Sequence, residues 1–465
     1  MKKTICFISI FELTKVFYEI SIVLEKQGHR CIWITTNKKY TSWLLEKGVK
    51  KEFIIELVFD SKDFLGPEAI EEITDEIVSI ERDANITVNL AMLADRFIMD
   101  KQDENINQYM ILYFYSIKKF LTTNNVDMVF CEPTNSNEMI AWMVCQSLGV
   151  IFLHPQNLRI PDSRFFFQQG AFSGRMYSPE NNNCSIIGSD FINNFFNKKP
   201  QPRYFHLNKK MISPRKLMSS VVSRLKTDLF LKKNHLTHHA LNNRISLLTR
   251  RILNSFYLKY LFKYNGLESI VGRIAFYGLH VQPESSIDIS SPYYSDQLNL
   301  IKCIRRSLPF DTALIIKEHS NFLGIKPLSF FHELKKIPNT YIIHHDISIF
   351  EVLKCSDIVF TVSGTSAYEA GLLGIPAVTF SDVFFNGFSS VHYCNNLSEL
   401  KALVFYLLDE FKNDKVADGL FVEKIWKKSY NGYWSDPYSA PSVLEHDNIN
   451  DICEGFLDVV ENFHN

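Results

Sequence analysis

The chain has 465 residues, enough for two or three domains of ordinary size. It is 46% hydrophobic, and its 50 lysines and arginines against 51 aspartates and glutamates give a formal net charge of -1. These values exclude a disordered chain and a general polyanion binder, so nucleic acid is not an expected partner. Nine scattered cysteines without a C-x-x-C pair exclude a ribbon-type zinc site and indicate reduced thiols, so a cytoplasmic location is expected.

The N-terminal segment is apolar but short. The run that begins at Ile5 is interrupted at Glu12, and no small-x-small cleavage pattern follows, so it predicts a buried strand rather than a signal peptide. No stretch reaches the roughly 18 consecutive apolar residues that a membrane span requires. We therefore expect a soluble or peripheral protein.

Strand, helix and strand alternate in the first part of the chain. Residues 4–10 and 31–35 are predicted strands around a helix at about 15–26, and the rhythm recurs with strands at 128–131 and 150–153 around a helix at 138–148. This repeated βαβ pattern predicts a parallel sheet. Residues 1–185 are thus a predicted Rossmann-like domain with a helical insertion near 68–122.

A strongly basic segment follows. Residues 198–264 hold sixteen lysines and arginines and one acid, Asp228, with apolar residues at helical spacing. We expect basic amphipathic helices in a connector at 186–265. Such a charge run is compatible with a solvated helical face, or with attraction to an anionic membrane surface or polymer.

The α/β pattern returns in the last third. Five predicted strands lie at 273–279, 313–317, 341–343, 358–362 and 377–380, which indicates a second Rossmann-like domain at 266–425. The tail at 426–465 ends in a helical stretch that is expected to pack on the first domain. The predicted fold class is therefore α/β, with two Rossmann-like domains that face a cleft.

Candidate ligand-binding residues follow the strands of the second domain, because ligands of open α/β sheets bind at the carboxyl ends of strands. Ser363, Gly364, Thr365 and Ser366 lie between a strand and a helix, where hydroxyls and free amides suit a phosphate. An ordinary helix cap would have the same pattern. Two neighbouring loops add further polar side chains, which are Lys317 and His319 in one and His280, Gln282 and Glu284 in the other.

Metal binding is not expected. His344, His345 and Asp346 are adjacent, and neighbours on an extended chain point apart, so joint chelation of one ion is disfavoured. The sequence also has no D-x-D pair that could hold a divalent ion against a nucleotide diphosphate. A phosphate site would then depend on Lys317, hydroxyls and the helix dipole, with no cofactor.

The corresponding loops of the first domain contain two carboxylates and two arginines. Glu132 ends a strand and Glu138 begins the next helix, so the pair is our candidate for general base catalysis. Favourable pairing with the helix N-terminus is the alternative explanation for Glu138. His154, Arg159 and Arg164 lie in a predicted loop, where the arginines could hold a sugar carboxylate or an acceptor phosphate.

The motifs of the second domain resemble those of a known family. His280-Val-Gln-Pro-Glu284, Lys317-Glu-His319 and Ser363-Gly-Thr-Ser-Ala-Tyr-Glu369, followed by Gly374-Ile-Pro376, are similar to the capsule polysaccharide biosynthesis family, which is related to bacterial capsule Kdo transferases. The resemblance covers residues 270–390 well and the region from Glu132 to Arg164 loosely.

The resemblance implies a GT-B glycosyltransferase, with the nucleotide sugar on the second domain and the acceptor on the first. Relatives use CMP-activated ulosonic acids without a metal. By position, Lys317, His319, Ser363, Gly364 and Thr365 would contact phosphate and ribose, and the loop after Ile343 would lie near the base. Two positions depart from the family: Ser320 replaces a proline, and His154-Pro155-Gln156-Asn157 replaces an acidic loop, so no catalytic aspartate is transferred there.

The leading hypothesis is transfer of an acidic sugar from a CMP-activated donor to a capsular polysaccharide at the cytoplasmic face of the inner membrane. The acceptor would be an anionic glycan or glycolipid, and the basic segment would contact the membrane. Three alternatives stay open, namely a CDP-polyol phosphotransferase, a nucleotide-sugar 2-epimerase, and an inactive partner in capsule assembly or export.

Overall fold

The computed structural model describes residues 2–98, 105–170, 174–177, 186–198, 241–319 and 323–462. These residues form two β-sheets with helices between and around the strands, which confirms the predicted α/β fold class. The strands are β1 (Thr4–Ser9), β2 (Arg30–Thr35), β3 (Ile54–Glu56), β4 (Met128–Phe130), β5 (Ile151–Asn157), β6 (Arg164–Gln169), β7 (Arg273–Gly278), β8 (Thr312–Lys317), β9 (Thr340–Ile343), β10 (Ile358–Thr361), β11 (Ala377–Thr379), β12 (Val391–Tyr393) and β13 (Tyr430–Asn431).

The helices lie between and around these strands. They are α1 (Leu13–Lys26), α2 (Lys38–Glu46), α3 (Pro67–Asp83), α4 (Val88–Ala94), α5 (Ile106–Thr123), α6 (Ser136–Leu148), α7 (Gly188–Lys198), α8 (Leu241–Tyr260), α9 (Ser285–Asp288), α10 (Gln297–Ser307), α11 (Leu328–Lys335), α12 (Ile349–Lys354), α13 (Thr365–Leu373), α14 (Leu400–Asp409), α15 (Lys415–Lys427) and α16 (His446–Asn462).

The first sheet has the order β13-β6-β5-β4-β1-β2-β3. Strands β1 to β5 pair in parallel, and the nearly continuous apolar sequences of β1, β2 and β4 are buried because helices cover both faces. The helical insertion α3–α5 packs on one face, whereas α1 and α16 pack on the other. The polar ends of these strands therefore come together at one edge of the sheet.

The predicted loop from His154 to Arg164 is wrong in extent. Strand β5 continues to Asn157 and pairs antiparallel with β6, which begins at Arg164. Phe165, Phe166 and Phe167 are each fully buried, so their backbone groups need partners, which residues 155–157 of β5 provide by pairing with them. Only residues 158–163 form the turn between the two strands.

The second sheet is entirely parallel, in the order β12-β11-β10-β7-β8-β9. Its central strands are apolar apart from some of their first and last residues, as expected for a sheet with helices on both faces. The basic stretch from 199 to 240 lies outside the described residues. Helix α7 packs against α15, and α8 contributes the buried Leu258 to the core of the second domain.

After α15 the chain returns to the first domain. Strand β13 pairs antiparallel with β6, and α16 packs along α1. The two domains also touch directly, because the Tyr368 hydroxyl on α13 donates to the Ile160 carbonyl at 2.8 Å and the Phe166 and Phe384 rings lie 4.9 Å apart. The eight cysteines within the described residues are all free. In the same part of the chain, no helix is long and apolar enough to cross a bilayer.

Candidate functional site

The topological switch point of the second sheet lies at β7, which has β8 on one side and β10 on the other. Ligands of doubly wound sheets bind where the strand order reverses in this way. His280 follows β7, and Ser363 to Ser366 follow β10, so both predicted loops lie at the switch point. Lys317 ends the neighbouring strand β8.

His280 joins the two loops. Its Nε2 accepts a hydrogen bond from the Val362 amide at 3.1 Å and lies 2.8 Å from the Thr361 hydroxyl. Burial, aided by the charge of Lys326, lowers the pKa of His280 to about 3, so the ring is neutral at physiological pH. The neutral ring holds the backbone of the β10 loop in place rather than supplying charge.

Gly364 lets the backbone approach this pair closely. An added Cβ would lie 2.5 Å from Thr361 Oγ1 and 3.2 Å from the His280 ring. The Gly364 amide itself donates to Thr361 Oγ1 at 3.0 Å. A side chain at this position would therefore displace the group that links the two loops.

Helix α13 begins at Thr365 with an N-terminus that is not capped by a side chain. Within the described residues the hydroxyls of Thr365 and Ser366 have no hydrogen-bond partner, whereas Ser363 Oγ donates to the Ser286 carbonyl. Free amides and the helix dipole make such an end attractive to anions. Of the three predicted hydroxyls, those of Thr365 and Ser366 are available to a ligand.

Lys317 lies among carboxyls and is only 8% exposed. Burial lowers the pKa of its amine to about 8, although the charges of Asp346, Glu318 and Glu369 oppose this effect. Sequence reasoning missed Glu369 as a site residue. Burial raises the pKa of Glu369 to about 7, and its Oε2 is enclosed without a hydrogen-bond partner. Its position on the second turn of α13, facing the Lys317 strand, was the available signal.

Lys326 is a second missed cation. Its Nζ donates to the His280 carbonyl, and it influences the pKa values of both Glu318 and His319. Burial, together with Lys317 and Lys326, lowers the pKa of His319 to about 4, so this imidazole is also neutral. No local pattern marks Lys326, because the contact with His280 spans 46 residues. Ser320 lies outside the described residues.

Gln282 and Glu284 have different surroundings. The Gln282 side-chain amide donates to Asp288 Oδ1 at 2.8 Å and accepts from Gln297 Nε2 at 2.6 Å. Both its nitrogen and its oxygen are therefore bonded to neighbouring residues of the same domain. Glu284 is exposed. Reduced hydration of its carboxyl raises its pKa, whereas a hydrogen bond from Ser286 and, to a smaller extent, the charge of Arg159 in the first domain oppose this effect. Gln282 thus shapes the loop, and Glu284 faces the other domain.

The first sheet has its own switch point at β1, between β2 and β4. Glu132 follows β4 at this point, as predicted. Burial and the charge of Asp436 raise its pKa to about 7, while Arg159 and the indole of Trp434 oppose the rise. A carboxyl that titrates near neutral pH is suited to accept and release a proton.

Glu138 caps its own helix. Its carboxylate accepts hydrogen bonds from the Thr134 amide at 3.1 Å and the Asn137 side chain at 3.0 Å, and it completes a capping box with Asn135. The side chain is 1% exposed. This geometry supports the helix-terminus explanation and disfavours Glu138 as a base. The spacing Asn135-x-x-Glu138 was the sequence signal for it.

The three predicted acceptor-binding residues lie in different parts of the β5–β6 hairpin. His154 lies within β5, where burial lowers its pKa to about 4. Arg159 lies exposed in the turn with a φ of 72° and acts on the carboxyls of both Glu132 and Glu284. It is therefore the one of the three that lies between the domains.

Arg164 does not serve as a ligand group. It is 4% exposed, and its guanidinium donates to Ser429 Oγ at 2.8 Å, to the Asn431 side chain and to the Trp426 carbonyl at 3.1 Å. The same group lies 4.6 Å from the centroid of the Trp426 ring. These contacts attach β13 to β6, so the substrate-binding prediction for Arg164 is corrected to a structural role.

The His344, His345 and Asp346 side chains are closer together than expected. One potential donor atom from each lies within 4.8 Å of the others, because the two rings stack at 4.2 Å instead of pointing apart. The charges of Lys317 and Lys259 act on His345 and oppose the binding of a cation there. Metal independence stays a prediction.

A profile of the family described as "Capsule polysaccharide biosynthesis protein" matches residues 218–392. No curated protein matches the sequence. Among solved structures, the chain is similar to the β-Kdo 2,7 transferase KpsC of Thermosulfurimonas dismutans, with 11% identity, coverage of 76% of this chain and 95% of that chain, and a TM-score of 0.33.

Two further structures cover nearly the whole chain. One is UDP-GlcNAc 2-epimerase of Neisseria meningitidis bound to UDP-GlcNAc, at 12% identity, 98% and 100% coverage and a TM-score of 0.29. The other is a glycosyltransferase of Rickettsia africae, at 14% identity, 99% and 100% coverage and a TM-score of 0.27. Such values carry no argument about activity. The family match, which includes all three motifs of the second domain, confirms that residues 218–392 are similar to the capsule polysaccharide biosynthesis family.

Proposed function

We propose that this protein is a glycosyltransferase of capsule polysaccharide biosynthesis that takes an acidic ulosonic acid from a CMP-activated donor. The observation that carries the proposal is the assembly at the second switch point. There, the open N-terminus of α13, with Thr365 and Ser366, lies beside the loop that His280 holds, and Lys317 ends the adjacent strand. The family match over these motifs supports the same conclusion.

The donor phosphate would bind to the α13 amides and the two free hydroxyls, with Lys317 as a nearby cation. These groups stabilise negative charge that increases as the bond between the anomeric carbon and the phosphate oxygen breaks. CMP then leaves with the electron pair of that bond. The charge of Glu369 raises the pKa of Lys317 and so favours the protonated amine.

The acceptor hydroxyl would lose its proton to Glu132 as its oxygen bonds to the anomeric carbon. The raised pKa of Glu132 suits this role, since the carboxylate is a stronger base than an ordinary glutamate yet still ionises near neutral pH. Arg159, which acts on carboxyls of both domains, is placed to pair with the carboxylate of an acidic sugar.

Calorimetry with CMP, CDP and UDP tests the donor side. We expect CMP to bind most tightly, and Lys317→Met to weaken it. Preference for CDP would favour the polyol phosphotransferase, and turnover of a UDP-sugar without acceptor would favour the epimerase.

Glu132→Gln should bind donor normally and lose transfer. Retention of full transfer by this variant would remove Glu132 as the base, and capsule made without any turnover would indicate an assembly partner.

We propose further that α8 rests on an anionic membrane. Its outer face exposes Leu253, Phe256 and Tyr260 at 64%, 58% and 64%. The exposed Arg250 and Lys259 lie on the same helix, which contains no acid. Apolar and basic residues together on an amphipathic helix favour the surface of a bilayer with anionic lipids.

Sedimentation with vesicles tests the membrane proposal. Vesicles of phosphatidylglycerol and phosphatidylcholine should bind the protein at low salt, and vesicles of phosphatidylcholine alone should not. The double variant Leu253→Ser, Phe256→Ser should lose most of the binding. Phe310→Ser, which removes a ring that is 98% exposed elsewhere, is the matched control and should bind normally. Equal binding of both variants would refute the role of α8.

A further inference from the structure

The chain that returns from α15 to the first domain passes along the Glu132 site. This return segment, Tyr430–Ala440, begins with β13 and then buries Trp434, which is 4% exposed, against the rings of Phe17 and Phe456 at 5.6 and 5.8 Å. The segment is therefore a packed part of the first domain. It approaches the switch point of that sheet from a distance of about three hundred residues along the chain.

One asparagine ties the return segment to the turn that carries Arg159. Asn157 Nδ2 donates to the Trp434 carbonyl at 3.2 Å, and Asn157 Oδ1 accepts from the Arg159 amide at 2.6 Å. Asn157 is buried, so these bonds are shielded from water. The position of Arg159 is thus coupled to the position of the return segment.

Trp434 carries a buried donor. Its Nε1 is enclosed without a hydrogen-bond partner that meets normal geometry, and the indole approaches the Glu132 carboxyl. A buried N–H that lacks a partner lowers stability. The charged form of Glu132 is the group that would satisfy it.

Charged groups face Glu132 from three directions. Asp436 comes from the return segment, Arg159 from the β5–β6 turn and Glu138 from α6. Asp436 in turn faces Glu12 after β1. Hydrogen bonds hold Glu12 to Lys15, Lys39 and Tyr40. Asp436 and Trp434 therefore act on one carboxyl with opposite effects, because a negative charge disfavours ionisation and an N–H donor favours it.

We propose that Trp434 and Asp436 are positioning residues for Glu132, so that the proton-accepting site of the first domain is complete only when the C-terminal return segment is docked. This inference rests on the proposed function, in which Glu132 accepts the proton of the acceptor hydroxyl. It assigns to the tail a part in the reaction as well as its role in packing.

The test measures the free energy of unfolding against pH for wild type, Asp436→Asn and Trp434→Phe, each with and without Glu132→Gln. In each background, the part of the pH dependence of the unfolding free energy that Glu132→Gln removes comes from the titration of Glu132. We expect Asp436→Asn to lower the titration midpoint, which is the pH at which Glu132 is half ionised, and Trp434→Phe to raise it. Each change should be at least about half a pH unit. Asp436→Asn conserves shape, and Trp434→Phe keeps an aromatic ring while it removes the N–H. Asp451→Asn, which removes an exposed carboxylate from α16, is the control and should leave the midpoint unchanged.

The acid limb of the kcat/KM profile should move in the same directions. A tail with only a structural role would lower stability without moving the midpoint, and equal midpoints in all backgrounds would overturn the inference. Shifts in the same direction for both variants would overturn it as well. The proposed function fails separately, if Glu132→Gln keeps full transfer while the midpoints still move apart.

Discussion

Replacement of Glu132 by glutamine should stabilise the protein above neutral pH. The pKa of this carboxyl rises from about 4.5 in an unfolded chain to about 7 in the fold, chiefly because of burial. The unfolded chain therefore releases this proton at a lower pH than the folded chain does. Wild type has the full stability contribution of this group below about pH 4.5 and loses it as the pH rises toward 7.

The magnitude follows from the shift. At about 1.4 kcal/mol per pKa unit, a shift of about 2.5 units limits the loss to about 3.5 kcal/mol. Glu132→Gln does not titrate, so its advantage in unfolding free energy over wild type should grow by about 2–3 kcal/mol between pH 5 and pH 8.

Urea unfolding, followed by circular dichroism at several pH values, measures this difference. Glu46→Gln, at the exposed end of α2, reports the effect of removing one surface carboxyl. A difference between Glu132→Gln and wild type that stays constant from pH 5 to pH 8 would refute the reasoning. In that case Glu132 would ionise as an ordinary surface glutamate and would be a poor candidate for the base.

Three further replacements test the other parts of the site. Lys317→Met should weaken binding of cytidine nucleotides by about 10-fold to 150-fold in calorimetry, because a charge-assisted contact worth about 1.5–3 kcal/mol is lost; the exposed Lys401→Met should bind normally. Gly364→Ala should impair nucleotide binding, since its Cβ would lie 2.5 Å from a hydroxyl oxygen, whereas Gly66→Ala has open space and should not. Arg164→Ala should lower the unfolding free energy by about 3–5 kcal/mol, as it leaves buried partners unsatisfied; unchanged stability would contradict its structural role.

The sequence allowed the ligand-binding loops of the second domain to be located because parallel strands share an edge. Once β7, β8 and β10 were recognised from their apolar runs, His280, Lys317 and the Ser363–Ser366 loop had to come near one another. The capping role of Glu138 was also visible locally, as a residue three positions after Asn135. Both are patterns of short range, set by strand direction and by the free amides of a helix end.

Residues that meet through distant contacts could not be found in this way. The loop interpretation of Arg164 failed because its partners, Ser429 and Asn431, lie more than 260 residues away and bring a further strand to the sheet. Lys326, Glu369 and Trp434 gain their importance from burial beside a specific group, which has no periodicity along the chain.

The sequence by itself determined the parallel strands of the two sheets, the strand ends at which a ligand can bind and the similarity to the capsule family. These follow from local hydrophobic patterns and from motifs with fixed spacing. Only the tertiary structure decided which polar side chains bond to other parts of the protein and which stay accessible to a ligand. It did so because the pKa of Glu132 and the roles of Arg159 and Arg164 depend on burial and charge from the returning C-terminal segment and from the opposite domain.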